Sequence, residues 1–138
     1  MSAASGHCLC GAVRFTVESV DPHYWACHCS MCLRWSAGPF LSVSTTGVSF
    51  EGKEYMTVFG SSEWADRGFC NKCGTILFYR LKEKDEYEMS TGTFDDSSSF
   101  KMIGEIFIDQ KPDGYDFAGD HPRLTEAEAL AKFSLGGD

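Results

Sequence analysis

Apolar and polar residues alternate through residues 12–18, which sets Val13, Phe15 and Val17 on one face of a half-buried strand. Asp21-Pro22 interrupts the pattern, and residues 23–26 predict a second short strand running into Cys27. Further strands are expected at 40–44, with Leu41 and Val43 inward, at 48–51 and at 54–59. The apolar run at 75–80 reads as the principal core strand. A charged loop at 81–86 then turns the chain back through a strand at 87–91. Residues 105–109 predict one more strand, and the Pro, Gly and Asp of 110–121 predict a long surface segment. One helix is signalled. Thr125 and Glu128 have capping-box spacing, Ala127, Leu130 and Ala131 form an apolar stripe, and Gly136-Gly137 would end it. Many short strands and one terminal helix imply a mainly-β protein.

Length and composition narrow this picture. A chain of 138 residues suits a single domain spanning 1–138. A hydrophobic content of 43% excludes the disordered class. No run approaches the roughly eighteen apolar residues of a membrane span, and no basic-then-apolar leader opens the sequence. The expectation is a cytoplasmic protein with no membrane partner. A formal charge of −8 argues against nucleic acid, whose binding needs Lys and Arg to displace counterions.

The cysteines supply the candidate chemistry. There are seven, in three clusters: Cys8 with Cys10, then Cys27, Cys29 and Cys32, then Cys70 with Cys73. An odd number fits poorly with a closed set of disulfides, and a reducing compartment disfavours them further. Metal suits the spacing better. Zinc takes four ligands tetrahedrally at about 2.3 Å from each sulfur, and a short turn between two cysteines delivers a pair of them. Gly11 follows Cys10 and Gly74 follows Cys73, so both turns can adopt positive φ and aim backbone N–H groups at sulfur. Pairing these two turns joins Cys8, Cys10, Cys70 and Cys73 in a closed four-thiolate site. Cys27, Cys29 and Cys32 remain as an open three-thiolate site. Structural and catalytic zinc require those two arrangements respectively, giving two zinc ions per chain. His28, between two ligands, could be a fourth ligand, a proton shuttle or a core hydrogen-bonding group. His7, His23 and His121 have no partner legible in the sequence.

Gly6 to Phe15, Cys27 to Cys32 and Arg67 to Thr75 together resemble the glutathione-dependent formaldehyde-activating (GFA) family, as do Glu105 to Asp109 and Lys111-Pro112. The resemblance implies a β-tent of two packed antiparallel sheets pinned by zinc, here with a short C-terminal helix. It implies structural zinc on Cys8, Cys10, Cys70 and Cys73, and the second zinc on Cys27, Cys29 and Cys32. The activity implied is that of a carbon–sulfur lyase, S-(hydroxymethyl)glutathione synthase-like, with a small thiol such as glutathione and a small aldehyde as partners. Such a thiol carries carboxylates, so Arg34 and Arg67 are candidate substrate residues, each weighed against an ordinary surface ion pair. Two other classes compete: a non-catalytic zinc-stabilised binding module, and a thiol redox or metal-exchange protein.

Overall fold

The computed structural model describes residues 2–133, so the helix stop expected at Gly136-Gly137 lies outside the described residues. The chain is mainly β with two short α-helices, and it groups into two compact units. The first takes residues 2–22 and 42–100, the second 23–41 and 101–133. No helix among the described residues is long and apolar enough to cross a membrane.

In the first unit β1 (Ser2–His7) and β2 (Arg14–Val20) form an antiparallel pair with Gly6 opposite Phe15. Strand β2 also pairs with β5 (Ser49–Glu51) and with the last residues of β4 (Phe40–Thr46). From β4 an antiparallel meander continues through β9 (Glu86–Ser90), β8 (Ile76–Leu81), β7 (Ala65–Cys70) and β6 (Met56–Gly60). Alternation drives this. Phe15, Val17, Val43, Leu77, Phe78 and Met89 are buried, and each such side chain contributes about 1.5–3 kcal/mol. Phe50 joins the rings of Phe78 and Tyr87 at centroid distances of 5.6 and 5.5 Å. Strands β1 and β7 carry no readable apolar alternation. In β7 the sequence Ala-Asp-Arg-Gly-Phe-Cys buries even Arg67, because a position inside the sheet overrides weak strand propensity.

The second unit is built differently. Strand β3 (His23–Cys27) pairs parallel with β10 (Lys101–Ile106), from His23 opposite Lys101 to Cys27 opposite Ile106. Strand β11 (Arg123–Leu124) pairs parallel with β10 on its other side. Only the β4 side is antiparallel, where Ala26 and Cys27 face Leu41 and Phe40. The sheet is therefore mixed rather than purely antiparallel, since the long connection between β3 and β10 allows a crossover instead of a hairpin. The strand expected at 105–109 lies earlier: Phe107 takes φ 58° and a 3-10 turn over Ile108–Gln110 follows. Gly104 is required by a close approach, because a Cβ there would lie 2.1 Å from the Trp25 indole. Helix α1 (Ser30–Ser36) follows β3, and α2 (Glu126–Phe133) comes last. The capping box of α2 forms: Thr125 N–H donates to Glu128 Oε1 at 2.8 Å, and Glu128 N–H to Thr125 Oγ1 at 3.3 Å. The helix buries Ala129, whereas Ala127 of the expected stripe is exposed.

A carboxylate also breaks the apolar logic of the first unit. Ser44 Oγ–H donates to Glu88 Oε1 at 2.9 Å, while Glu88 Oε2 has no hydrogen-bond partner among the described residues. Burial pushes this carboxyl up to about 7, against the Ser44 hydrogen bond and with like charge from Glu86 and Asp21. A raised folded-state pKa favours folding below the ordinary carboxylate range, and that advantage is lost as pH rises toward 7. Glu88→Gln keeps an acceptor for Ser44 and removes the titration. Relative to the parent, the variant is expected to gain up to about 3 kcal/mol in denaturant unfolding between pH 4.5 and pH 8. A difference that stays flat across that range would refute the neutral buried carboxyl.

Candidate metal centres

Two turns in the first unit build the four-cysteine cluster, and they close in the same way. Cys8 N–H donates to Val13 C=O at 3.0 Å and Cys70 N–H to Thr75 C=O at 2.9 Å, so each turn is pinned five residues on. Gly11 and Gly74 sit at φ 80° and 81°, as tight turns of this kind require. The resulting backbone points donors at sulfur: Val13 N–H to Cys8 Sγ at 3.3 Å, Lys72 N–H to Cys70 Sγ at 3.4 Å. Thr75 links the turns, accepting from Leu9 N–H at 3.0 Å and lying 3.1 Å from Cys73 Sγ. All four sulfurs lie within 4.8 Å of one another.

In the second unit Cys27 ends β3, and Cys29 is the N-cap of α1, where its Sγ accepts from Cys32 N–H at 3.4 Å. Cys32 sits on the buried side of that helix. Ser36 closes the helix by donating from Oγ to Cys32 C=O at 2.6 Å, and Ala37 turns into the left-handed region. These three sulfurs also lie within 4.8 Å of one another.

The donor chemistry fits metal. Sulfurs on one tetrahedral zinc stand roughly 3.8 Å apart, and Cys8–Cys10 and Cys10–Cys70 are separated by 3.6 and 3.8 Å. Left to themselves the thiols work against each other. The Thr75 hydroxyl pulls Cys73 down to about 5. The Ala12 N–H favours a thiolate at Cys10, yet desolvation and the three neighbouring sulfurs push it up to about 11. Cys29, Cys32 and burial hold the Cys27 thiol well above its ordinary value. A cation among the sulfurs removes that conflict by favouring every thiolate. Each cluster can hold a metal ion.

His28 does not join its flanking cysteines. The ring is fully buried, with Nε2–H donating to Glu105 Oε1 at 2.7 Å and Nδ1 lying 3.2 Å from the Tyr115 hydroxyl. Both ring nitrogens are committed, so the core hydrogen-bonding role is the one the geometry realises. Glu105 Oε2 accepts from His121 Nε2 at 2.6 Å and faces Arg123 Nε at 3.1 Å. Burial opposes ionisation of Glu105, but hydrogen bonds from His121 and His28 and the charge of Arg123 hold its carboxyl below the usual range. Sequence reading missed this network. Its one signal is a carboxylate at the start of the apolar run Glu105 to Ile108.

The candidate arginines fall in different units. Arg34 is an exposed residue in the last turn of α1. Arg67 is buried in β7, its guanidinium 5.0 Å from the Tyr79 ring centroid and its Nε donating to Ser61 Oγ at 3.3 Å.

Residues 3–110 match the family described as glutathione-dependent formaldehyde-activating enzyme. The chain belongs to the GFA family. A relative named as an uncharacterized lyase of Schizosaccharomyces pombe is 32% identical over 132 residues, covering 94% of this chain and 96% of the yeast protein. A Halomonas elongata protein named for glutathione-dependent formaldehyde activation is 30% identical over 83 residues, 53% of each chain. A crystal structure of a Rhodobacter sphaeroides protein shares the fold with TM-score 0.54 at 20% identity, over 86% of this chain and 98% of that one.

The Glu105 network gives a direct test. A carboxyl held low in the folded state stabilises above the ordinary carboxylate pKa and loses that contribution as pH falls through the folded value. Glu105→Leu strips His28, His121 and Arg123 of their shared acceptor. Denaturant unfolding at neutral pH is expected to show a loss of about 3–5 kcal/mol, the usual result of breaking one side of a buried charge cluster.

Proposed function

We propose that this chain is a zinc-dependent carbon–sulfur lyase, or thiol–aldehyde adduct enzyme, acting on a glutathione-like thiol and a small aldehyde. The observation that carries the reading is the three-sulfur cluster. Cys27, Cys29 and Cys32 converge while His28 between them turns away to Glu105, leaving the segment one ligand short of a tetrahedron. The four-sulfur cluster of Cys8, Cys10, Cys70 and Cys73 is read as the closed structural zinc site. The names of the two curated relatives agree with this chemistry. A cytoplasmic setting, where thiols stay reduced, suits seven cysteines that form no disulfide among the described residues.

In the forward reaction a sulfur–carbon bond forms at the carbonyl carbon. The carbonyl π pair moves to oxygen, where the thiol's proton finally rests, and the lyase direction reverses each change. Zinc, when bound, supplies the charge that keeps an incoming thiol ionised. A free thiol is only about 3% thiolate at pH 7, so full ionisation gains about thirtyfold, or about 2 kcal/mol. Positioning has to supply the rest. The chain's part is to hold three sulfurs in place: Cys27 by the β3 ladder, Cys29 and Cys32 by the first turn of α1. Glu105 locks the residue between them. Arg34, exposed on α1 two residues beyond Cys32, is the first candidate to take a substrate carboxylate. Arg67 would have to leave its Tyr79 stack to do so, and comes second.

Two experiments test the reading. Native mass spectrometry is expected to count two zinc ions, with Cys→Ser changes in either cluster removing one. Changes at Cys8, Cys10, Cys70 or Cys73 should also unfold the protein, since structural zinc contributes on the order of 10 kcal/mol. Those at Cys27, Cys29 or Cys32 should leave the fold largely intact; equal losses of melting temperature at all seven positions would contradict the division.

Glutathione titrated calorimetrically into the zinc-loaded protein should release a proton, counted from buffers of different ionisation enthalpy. Its affinity should rise with pH toward the free thiol pKa, and fall in Arg34→Ala. A thiol without carboxylates should bind but ignore that substitution. Millimolar glutathione that neither binds nor releases a proton would favour the non-catalytic binding module instead.

A further inference from the structure

Strand β6 of the first unit is paired on one side only, with β7. One hydrogen bond fixes which way its backbone groups point. Asn71 N–H donates to Tyr55 C=O at 2.7 Å, on the β7 side. Residues that exchange hydrogen bonds recur at every second position of an antiparallel ladder. Thr57 and Phe59 therefore turn their N–H and C=O toward Phe69 and Arg67, whereas Val58 and Gly60 turn theirs away. Met56 N–H is already used by Lys53 C=O. What the open edge offers is Met56 C=O and both backbone groups of Val58 and Gly60.

Among the described residues nothing guards this edge. Met-Thr-Val-Phe-Gly contains no charge and no proline, its register with β7 has no bulge, and Val58 and Phe59 are 48% and 61% exposed. Natural edge strands usually carry one of those devices against pairing with another chain.

We propose that β6 pairs antiparallel with β6 of a second copy of this chain, about a two-fold axis at Val58. Three features of the sequence match that single register. Val58 facing Val58 exchanges both backbone hydrogen bonds, and at each end Gly60 N–H meets the partner's Met56 C=O. Phe59 comes opposite the partner's Thr57 in the closer, non-hydrogen-bonded pair, an aromatic–β-branched combination that covers the exposed ring. Lys53, three residues before β6, and Glu63, three after it, arrive at the same end from opposite copies. Both are exposed, and neither has an ion-pair partner among the described residues. Sliding the register by two residues separates that charge pair and leaves Val58 without its symmetric mate.

Size-exclusion chromatography with light scattering, run over a range of concentrations, tests the pairing. The parent chain should be a dimer. Val58→Lys and Val58→Glu each place like charges directly opposite one another, and each should raise the dissociation constant by about tenfold or more. An equimolar mixture of the two should recover the dimer, because Lys then faces Glu. That recovery would also show that both variants are folded. A monomeric parent chain, a V58K that dimerises as tightly as the parent, or a mixture that stays monomeric would each overturn the proposal.

Discussion

Sulfurs crowded within 4.8 Å of one another cannot all ionise unless a cation sits among them, and both cysteine clusters impose that condition. In the first unit the condition acts across the chain. Cys8 and Cys10 stand on a turn between β1 and β2, while Cys70 ends β7 and Cys73 stands on the turn that follows. Each turn starts from a fully buried cysteine, Cys8 or Cys70, while Leu9 at the tip of one turn is 85% exposed. Thr75 joins them, through Leu9 N–H and Cys73 Sγ. A metal-bound core is a common solution where a small chain has limited hydrophobic surface to bury.

The second unit balances an opposite charge problem. Glu105 is buried, yet the donors from His28, His121 and Arg123 keep it ionised. Its neighbours come from the residue just after β3, from the 110–121 segment and from β11, so one carboxylate ties three pieces of chain to β10. That arrangement fixes His28, and with it the backbone between Cys27 and Cys29. The long surface segment expected there is thus also a lining: Tyr115 touches the His28 ring nitrogen from it.

Much of this was legible in the sequence, for a physical reason. Cysteines that could hold a metal are signalled locally by their spacing, and in the four-cysteine cluster also by the glycine that lets each turn close, so both groupings could be read before any fold was known. The capping box of α2 is local too. What escaped is what depends on distant chain. Glu105 finds His28 across 77 residues and His121 across 16, and no pattern within β10 announces either. Strand β7 hid because it buries Arg67 against Tyr79, a partner set by the β8 register. The parallel ladder of β3 with β10 follows from topology, which alternation along one strand cannot express. Arg34 and Arg67 looked equivalent beside their cysteines; burial and the Tyr79 contact of Arg67 separate them.

The parallel ladder also sets a timetable. Cys27, Cys29 and Cys32 leave the ribosome early, but β10, which braces them, lies at Lys101–Ile106 and β11 at Arg123–Leu124. The four-cysteine cluster is complete once Cys73 has emerged. During synthesis, then, the four-cysteine cluster can assemble while the three thiols of the other still wait for their scaffold. Pairings between such distant segments are slow to form. In that interval the three thiols stand without the strand that later pairs beside Cys27.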